Sequence, residues 1–242
     1  PYGQKLARDT GTVTGWKPHF DHKARPNKPN NLRGQTAKVR ANRERALLSH
    51  IFNQARAWGY TDAPNPCAGI KGHKETGRDR YVEDDEFKAV WEKGHYTLQD
   101  AMDLALLTGQ RPADVLKLTR ADIRDGALHL KQNKTGKKLA IEITGELAQV
   151  IDRITSRPAK IKSVWLIQDE SGQPLTYWML RNRFDEAREA AGATFQFRDI
   201  RAKAATDTGD LGHAQKLLGH KTRDMTEHYT RKRRGERVKP LR

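Results

Sequence analysis

From Thr36 to about Tyr60, apolar residues recur at Val39, Leu47, Leu48, Ile51, Phe52, Ala55 and Trp58, while Lys38, Arg40, Arg43, Arg45 and Arg56 fall elsewhere. This is the pattern of a long amphipathic helix, one side packed and another free to meet phosphates. Residues 1–35 show no sustained period and are rich in Gly, Pro and Asn, which predicts loop. A Pro- and Gly-dense run, TDAPNPCAGIKGHKETGRD at 61–79, reads as an interdomain linker, giving a first segment 1–62, a linker 63–79, a main domain 80–230 and a basic tail 231–242.

The main domain opens on EDDE at 83–86, acids that suit the positive end of the helix continuing through FKAVWEKG. A second helix follows, with Thr97 and Asp100 as a capping pair, Leu98, Ala101, Met102, Ala105 and Leu106 as its buried stripe, and Gly109 as its stop. Pro112 fits only the first turn of a new helix, which puts Arg111 at its N-cap, where free backbone N–H groups and a guanidinium both favour an anion. A structural arginine tied to Asp114 fits the position equally well. Residues 127–143 alternate as two strands around a turn at Thr135-Gly136, with Lys134 entering the turn and Lys131, Lys137 and Lys138 beside it. Beyond it lie a helix in GELAQVIDRITSR, a short buried strand in VWLI at 164–167, and a helix in TYWMLRNRFDEAREAAG with a Thr cap and Gly stop. Tyr177 and Trp178 read as core of that last helix, and Arg181 and Arg183 as solvated or phosphate-facing.

The last stretch gathers the chemistry. Arg198 and Arg201 stand three apart in RDIRAKAAT, so on a helix both leave one face. LGHAQKLL is a short apolar-faced helix stopped by Gly219, His220 follows directly, and Tyr229 comes nine residues later. Neighbouring His228 points about 100° away from Tyr229 on a helix, and His213 lies outside the cluster.

Arg111 behind an apolar helix and Gly, a hairpin lysine, Arg201, the LLGH of 217–220 and Tyr229 together resemble, in order, the tyrosine recombinases of the phage integrase family, over about residues 80–230. The resemblance implies a mainly α fold with a small β-sheet (α+β), a helical DNA-clasping first segment, and a catalytic set of Tyr229, Arg111, Lys134, Arg201, His220 and Arg198. It selects Lys134 among the hairpin lysines. It further implies strand exchange through a 3′-phosphotyrosine on Tyr229 without ATP, metal or other cofactor. Duplex DNA is the implied partner, with a homotetramer on DNA, accessory DNA-bending proteins and a prokaryotic, nucleoid-associated setting. One position departs: the family's His-x-x-Arg segment usually carries histidine where this chain has Arg198. Arginine donates to phosphate but, with a pKa above ~12, accepts no proton at pH 7. A type IB topoisomerase and a catalytically degenerate DNA-binding protein are the competing readings.

Charge supports a polyanionic partner. The 242 residues carry a net +16, with 16 Lys and Arg against 6 acids in residues 1–80, balance across 81–230, and 7 against 1 in the tail. Lys38, Arg40, Arg43 and Arg45 are the candidate DNA contacts of the first segment. One cysteine, Cys67, excludes an internal disulfide and suits a reducing cytoplasm. No run approaches the ~20 apolar residues of a membrane span and no signal-peptide layout opens the chain. No Cys/His cluster or HExxH pattern points to metal.

Overall fold

A computed structural model of the chain describes residues 30–77, 80–158, 161 and 163–230, and only the backbone of residues 30–36. The loop expected over 1–29 and the basic tail 231–242 lie outside the described residues. The chain divides into two compact units, Pro1–Gly77 and Arg78–Arg242.

In the first unit, α1 spans Asn30–Ala57, so residues 30–35, expected as loop, are helical. The apolar stripe expected to pack is largely open: Leu47, Leu48, Ile51 and Trp58 are all more than half exposed. The face actually covered is mixed, with Asn42, Arg45 and Ser49 half-buried beside Val39, Phe52 and Ala55 of the stripe. Residues 65–75 run back along it, with Asn42 Nδ2 donating to the His73 carbonyl at 2.8 Å and Asn65 Nδ2 to Ser49 Oγ at 2.9 Å, while Arg45 donates to the Ile70 carbonyl. Directional amide bonds, not period, decided which side this helix turns to its own chain.

The second unit is α+β. α2 (Asp84–Lys93) and α3 (Tyr96–Thr108) are followed by a single turn α4 (Pro112–Val115), three antiparallel strands, then α5 (Gly145–Ser156), α6 (Tyr177–Ala190), α7 (Asp199–Asp207), α8 (Leu211–Leu218) and α9 (Arg223–Thr230). The sheet runs in sequence order: β1 (Ile123–Arg124), β2 (Ala127–Lys131) and β3 (Lys138–Glu142), with Leu130 opposite Leu139. The predicted hairpin is therefore present, and the short β1 joins it. Of the α3 stripe, Leu98, Ala101 and Met102 are fully inaccessible, Ala105 is buried and Leu106 is half-buried, and Leu104 joins the buried set. Each such large side chain contributes about 1.5–3 kcal/mol.

Three expectations need correction. Thr97 and Asp100 do not cap α3; His95 is the N-cap, and buried Asp100 accepts from Arg153 Nη2 at 2.9 Å and from Arg157. A buried carboxylate is kept by its two guanidiniums rather than spent on a helix end. VWLI forms one isolated bridge rather than a strand, Trp165 with Thr119, and Gln168 just after it bridges Pro174; Leu166 and Ile167 are buried but Val164 is exposed. Tyr177 and Trp178 are exposed, not core, because they occupy the first turn of α6, and Arg181 stacks on Trp178 with its guanidinium 5.6 Å from the ring.

α7 is the hub of the second unit and carries two buried cations. Arg201 faces the site described below. Lys203, 2% exposed, turns the other way, paired with Asp207 at 2.9 Å and with Asp84, and donates to the Tyr81 hydroxyl at 3.2 Å. Burial alone pushes the Lys203 amine down, but Asp84 and Asp207 outweigh it and hold it above the ordinary lysine value. The bridge to Asp84, whose carboxylate is exposed, ties the buried amine of α7 to the start of α2.

Candidate active site

The site forms where α3 stops, α8 stops and α7 passes between them. α3 ends at Gly109 in the left-handed region (φ 64°), where an added Cβ would press on Leu217 and Leu218 at 3.2–3.4 Å. The chain turns there, and Arg111 becomes the N-cap of α4 with Pro112 at its first position. Arg111 Nη1 lies 3.9 Å from Asp114 Oδ2, so the structural reading and the functional one hold together: Asp114 aims a guanidinium whose buried Nη1 has no hydrogen-bond acceptor among the described residues.

Arg201, 4% exposed, is fixed from two sides. Its Nη1 donates to the Gly109 carbonyl at 2.5 Å and its Nη2 to the Leu218 carbonyl at 2.8 Å. Its buried Nε has no acceptor among the described residues. Burial first, then the charge of Arg111, lowers its pKa to about 10, so it remains a cation at neutral pH. The same effect of Arg111 shows that the two arginines share one electrostatic environment.

α8 ends as expected on Gly219 in the left-handed region, and His220 is buried behind it. Its Nε2 lies 3.2 Å from Arg201 Nη2 and its Nδ1 lies 3.0 Å from Thr226 Oγ1. A guanidinium can only donate, so Nε2 accepts, and the assigned tautomer carries its proton on Nδ1 and donates to Thr226. Burial, then the charges of Arg201, Arg111 and Lys137, lower the His220 pKa to about 4. The imidazole is therefore neutral at pH 7. Tyr229, on α9, is half-buried, its ring 5.2 Å from His220 and 5.6 Å from the Arg201 guanidinium. Packing against the buried Ala205, Ala214 and Leu218 docks it in the site of its own chain. Exposed His228 meets only the edge of the Tyr229 ring, and His213 is exposed on α8.

The structure thus brings Arg111, Arg201, His220 and Tyr229 together. Arg198 is not among them: it is the N-cap of α7, exposed, in a groove beside Pro112, Phe197 and Tyr177, with no hydrogen bond or ion pair among the described residues. Lys134 is exposed on the turn between β2 and β3, whereas Lys137, half-buried, is the hairpin lysine whose charge reaches His220. In the first unit, Lys38, Arg40 and Arg43 are exposed, Arg40 paired with Glu44 at 2.6 Å, while Arg45 is committed to its own loop. Arg183 is likewise committed, to Glu170 at 2.7 Å and to Thr97. Among the described residues no group of three or more His, Cys, Asp or Glu could hold a metal ion. Nor is any helix of the described residues long and apolar enough to cross a membrane.

Sequence reasoning missed Thr226, Gln110 and Gln132, all buried beneath this site. A signal for Gln132 existed: it continues the inward series of Leu128 and Leu130, at a position where a polar residue needs a reason.

Residues 82–236, well over half of the chain, match the sequence model of the phage integrase family. The chain belongs to this family. Among integrases, that of Escherichia phage HK022 is 31% identical over 201 residues and that of Escherichia phage lambda 30% over 200, each alignment covering 76% of this chain. The chain spans 56% of the length of either relative. The fold is similar to a lambda integrase dimer bound to a COC′ core site, with a TM-score of 0.74 at 27% identity over 88% of this chain and 65% of that one. It is also similar to a lambda integrase tetramer bound to a Holliday junction, with a TM-score of 0.70 at 27% identity over 80% and 62% of the two chains. Arg198 lies on the exposed surface and not in the buried cluster.

Proposed function

We propose that this chain is a site-specific recombinase that cuts and rejoins duplex DNA through a covalent bond to Tyr229. The observation that carries the reading is the pair of buried guanidinium N–H groups, Arg111 Nη1 and Arg201 Nε, without acceptors among the described residues, beside a docked tyrosine. A buried charged donor without a partner costs upwards of 1–3 kcal/mol, and a phosphodiester supplies the oxygens that satisfy both.

In this mechanism the Tyr229 oxygen attacks phosphorus, the bond to the 5′-oxygen breaks, and a 3′-phosphotyrosine and free 5′-hydroxyl result. Arg111 and Arg201 hold the non-bridging oxygens as charge gathers there. Lys134 protonates the departing 5′-oxygen, since an ammonium gives up a proton and a guanidinium does not; Lys137 is the nearest competitor for that role. His220 accepts from Arg201 as it stands, so donating to phosphate requires its other tautomer. Arg198 adds a third cationic contact at the rim and cannot take the phenolic proton, which leaves to water or to the phosphate. Because one phosphodiester is exchanged for another, the reaction needs no ATP, and none of these steps calls for a metal.

The lambda integrase dimer on a core site and tetramer on a Holliday junction support the inference that this chain too acts on duplex DNA as an assembly. Lys38, Arg40 and Arg43 are suited to contact the backbone from the first unit, in the cytoplasm of a prokaryotic host. The test uses a nicked suicide duplex carrying the target recovered by footprinting genomic fragments. Wild type becomes covalently attached; Tyr229→Phe binds the duplex equally well and attaches to none of it. Attachment by the variant would falsify the assignment of the nucleophile, and absence of an adduct with wild type would leave a DNA-binding protein.

A further inference from the structure

Beyond the side chains that touch phosphate, we propose that Gln132 is a positioning residue that locks the lysine turn onto the Arg201 frame, so that general acid and phosphate-holding arginine keep one register. The proposal rests on the recombinase reading above.

Gln132 is 1% exposed and makes five hydrogen bonds in three directions. Its Nε2 donates to Gln110 Oε1 at 2.7 Å and to the Leu218 carbonyl at 2.9 Å. Its Oε1 accepts from the Thr135 hydroxyl at 2.7 Å. Its own backbone closes the turn, its N–H donating to the Lys137 carbonyl at 2.8 Å and its carbonyl accepting from the Gly136 N–H at 2.9 Å. The Leu218 carbonyl is the one that also accepts from Arg201 Nη2. One oxygen therefore joins the turn to the arginine.

The amide orientation is determined by its neighbours. Gln110 Nε2 donates to the Leu217 and Thr108 carbonyls, which leaves Gln110 Oε1 as the acceptor that Gln132 meets. A flipped Gln132 would set its oxygen against that oxygen and against the Leu218 carbonyl. The space is also fitted to this side chain: a Cβ on Gly219 would lie 2.9 Å from Gln132 Nε2. The following residue is gripped from the opposite side, Asn133 N–H donating to Asp114 Oδ1 at 2.7 Å. Two consecutive residues are thus fixed immediately before Lys134, whose own side chain is exposed.

A purely structural need at this position would be met by an apolar residue, as at Leu128 and Leu130. A fully satisfied buried polar network adds little net stability but admits one arrangement, which is what a proton donor approaching a fixed phosphate requires.

The experiment compares nicked suicide duplexes whose scissile 5′-bridging atom is oxygen or sulfur, a thiolate leaving without an acid. Wild-type full chain is expected to cleave both. Gln132→Met is expected to lose about a hundredfold on oxygen, the scale of a misplaced general acid, and to return within a few-fold of wild type on sulfur. Thr135→Val, which removes one exposed hydroxyl, is expected to shift the oxygen-to-sulfur ratio in the same direction by less than about tenfold. Equal losses on both substrates, or no loss on either, overturn the proposal; if Gln132→Met does not fold, an unchanged ratio in Thr135→Val overturns it alone. Wild type that cleaves neither substrate removes the recombinase reading instead.

Discussion

Arg201 and Lys134 serve one proposed reaction, and the chain holds them by opposite means. Arg201 is 4% exposed and pinned by two main-chain carbonyls from the ends of α3 and α8. Lys134 is exposed, and only the backbone ahead of it is clamped. The difference follows from what each must do. A group that stabilises charge on phosphorus acts through its fixed direction, so the cost of burying it is met in folding and not at the moment of reaction. A proton donor must reach, deliver and withdraw.

The largest break of this comparison is on the buried side. Arg201→Lys keeps the charge but loses the planar fork, leaving the Gly109 and Leu218 carbonyls short of a donor and the phosphate without a bidentate partner. Covalent attachment is expected to fall about a thousandfold, or about 4 kcal/mol, and equally with oxygen or sulfur as leaving atom. A leaving-group dependence in this variant, measured in single-turnover cleavage, would move Arg201 into the acid's role and dissolve the contrast.

A smaller effect sharpens the comparison through pH. His220 belongs to the fixed side, and its pKa of about 4 lies below the ordinary histidine value because burial and the neighbouring cations disfavour its charged form. Between pH 6.5 and about 4 the unfolded chain therefore binds a proton at this position that the folded chain does not. Stability contributed by the neutral ring is complete above about pH 6.5 and lost as pH falls through that window, by up to about 3 kcal/mol. Denaturant midpoints of wild type and His220→Gln, followed from pH 7 to 4, are expected to converge as pH falls. Parallel curves would show that the ring gains no protection from its surroundings.

How far all this could be read from residues alone divides along the same line. Positions that depend on neighbours in sequence were legible: the left-handed stops at Gly109 and Gly219, Pro112 opening α4, the alternation of the hairpin, and with them Arg111, His220 and Tyr229. Positions settled by distant partners were not. Gln132 bonds to a carbonyl 86 residues away and Gln110 to one 107 away, and no local pattern announces such a contact. Asp100 reads as a cap until Arg153 and Arg157 claim it. The apolar stripe of α1 reads as core until a polar loop takes the adjacent face. The family resemblance supplied Lys134, while the hairpin lysine whose charge reaches His220, after those of Arg201 and Arg111, is Lys137.

Arg198 is the mildest test and the one most particular to this chain. It lies at the rim, exposed, without a hydrogen bond or ion pair among the described residues, so replacing it disturbs no packing. If its part is one more cation near phosphate, Arg198→His keeps a donor and regains a group able to accept a proton near neutrality. Cleavage is then expected to equal wild type or exceed it by up to about tenfold, with a pH–rate profile that gains a limb near the ordinary histidine value, about 6.5. A loss of several orders of magnitude would mean that the guanidinium at the rim is required, and the exposed side of the site would then have to be counted with the fixed one.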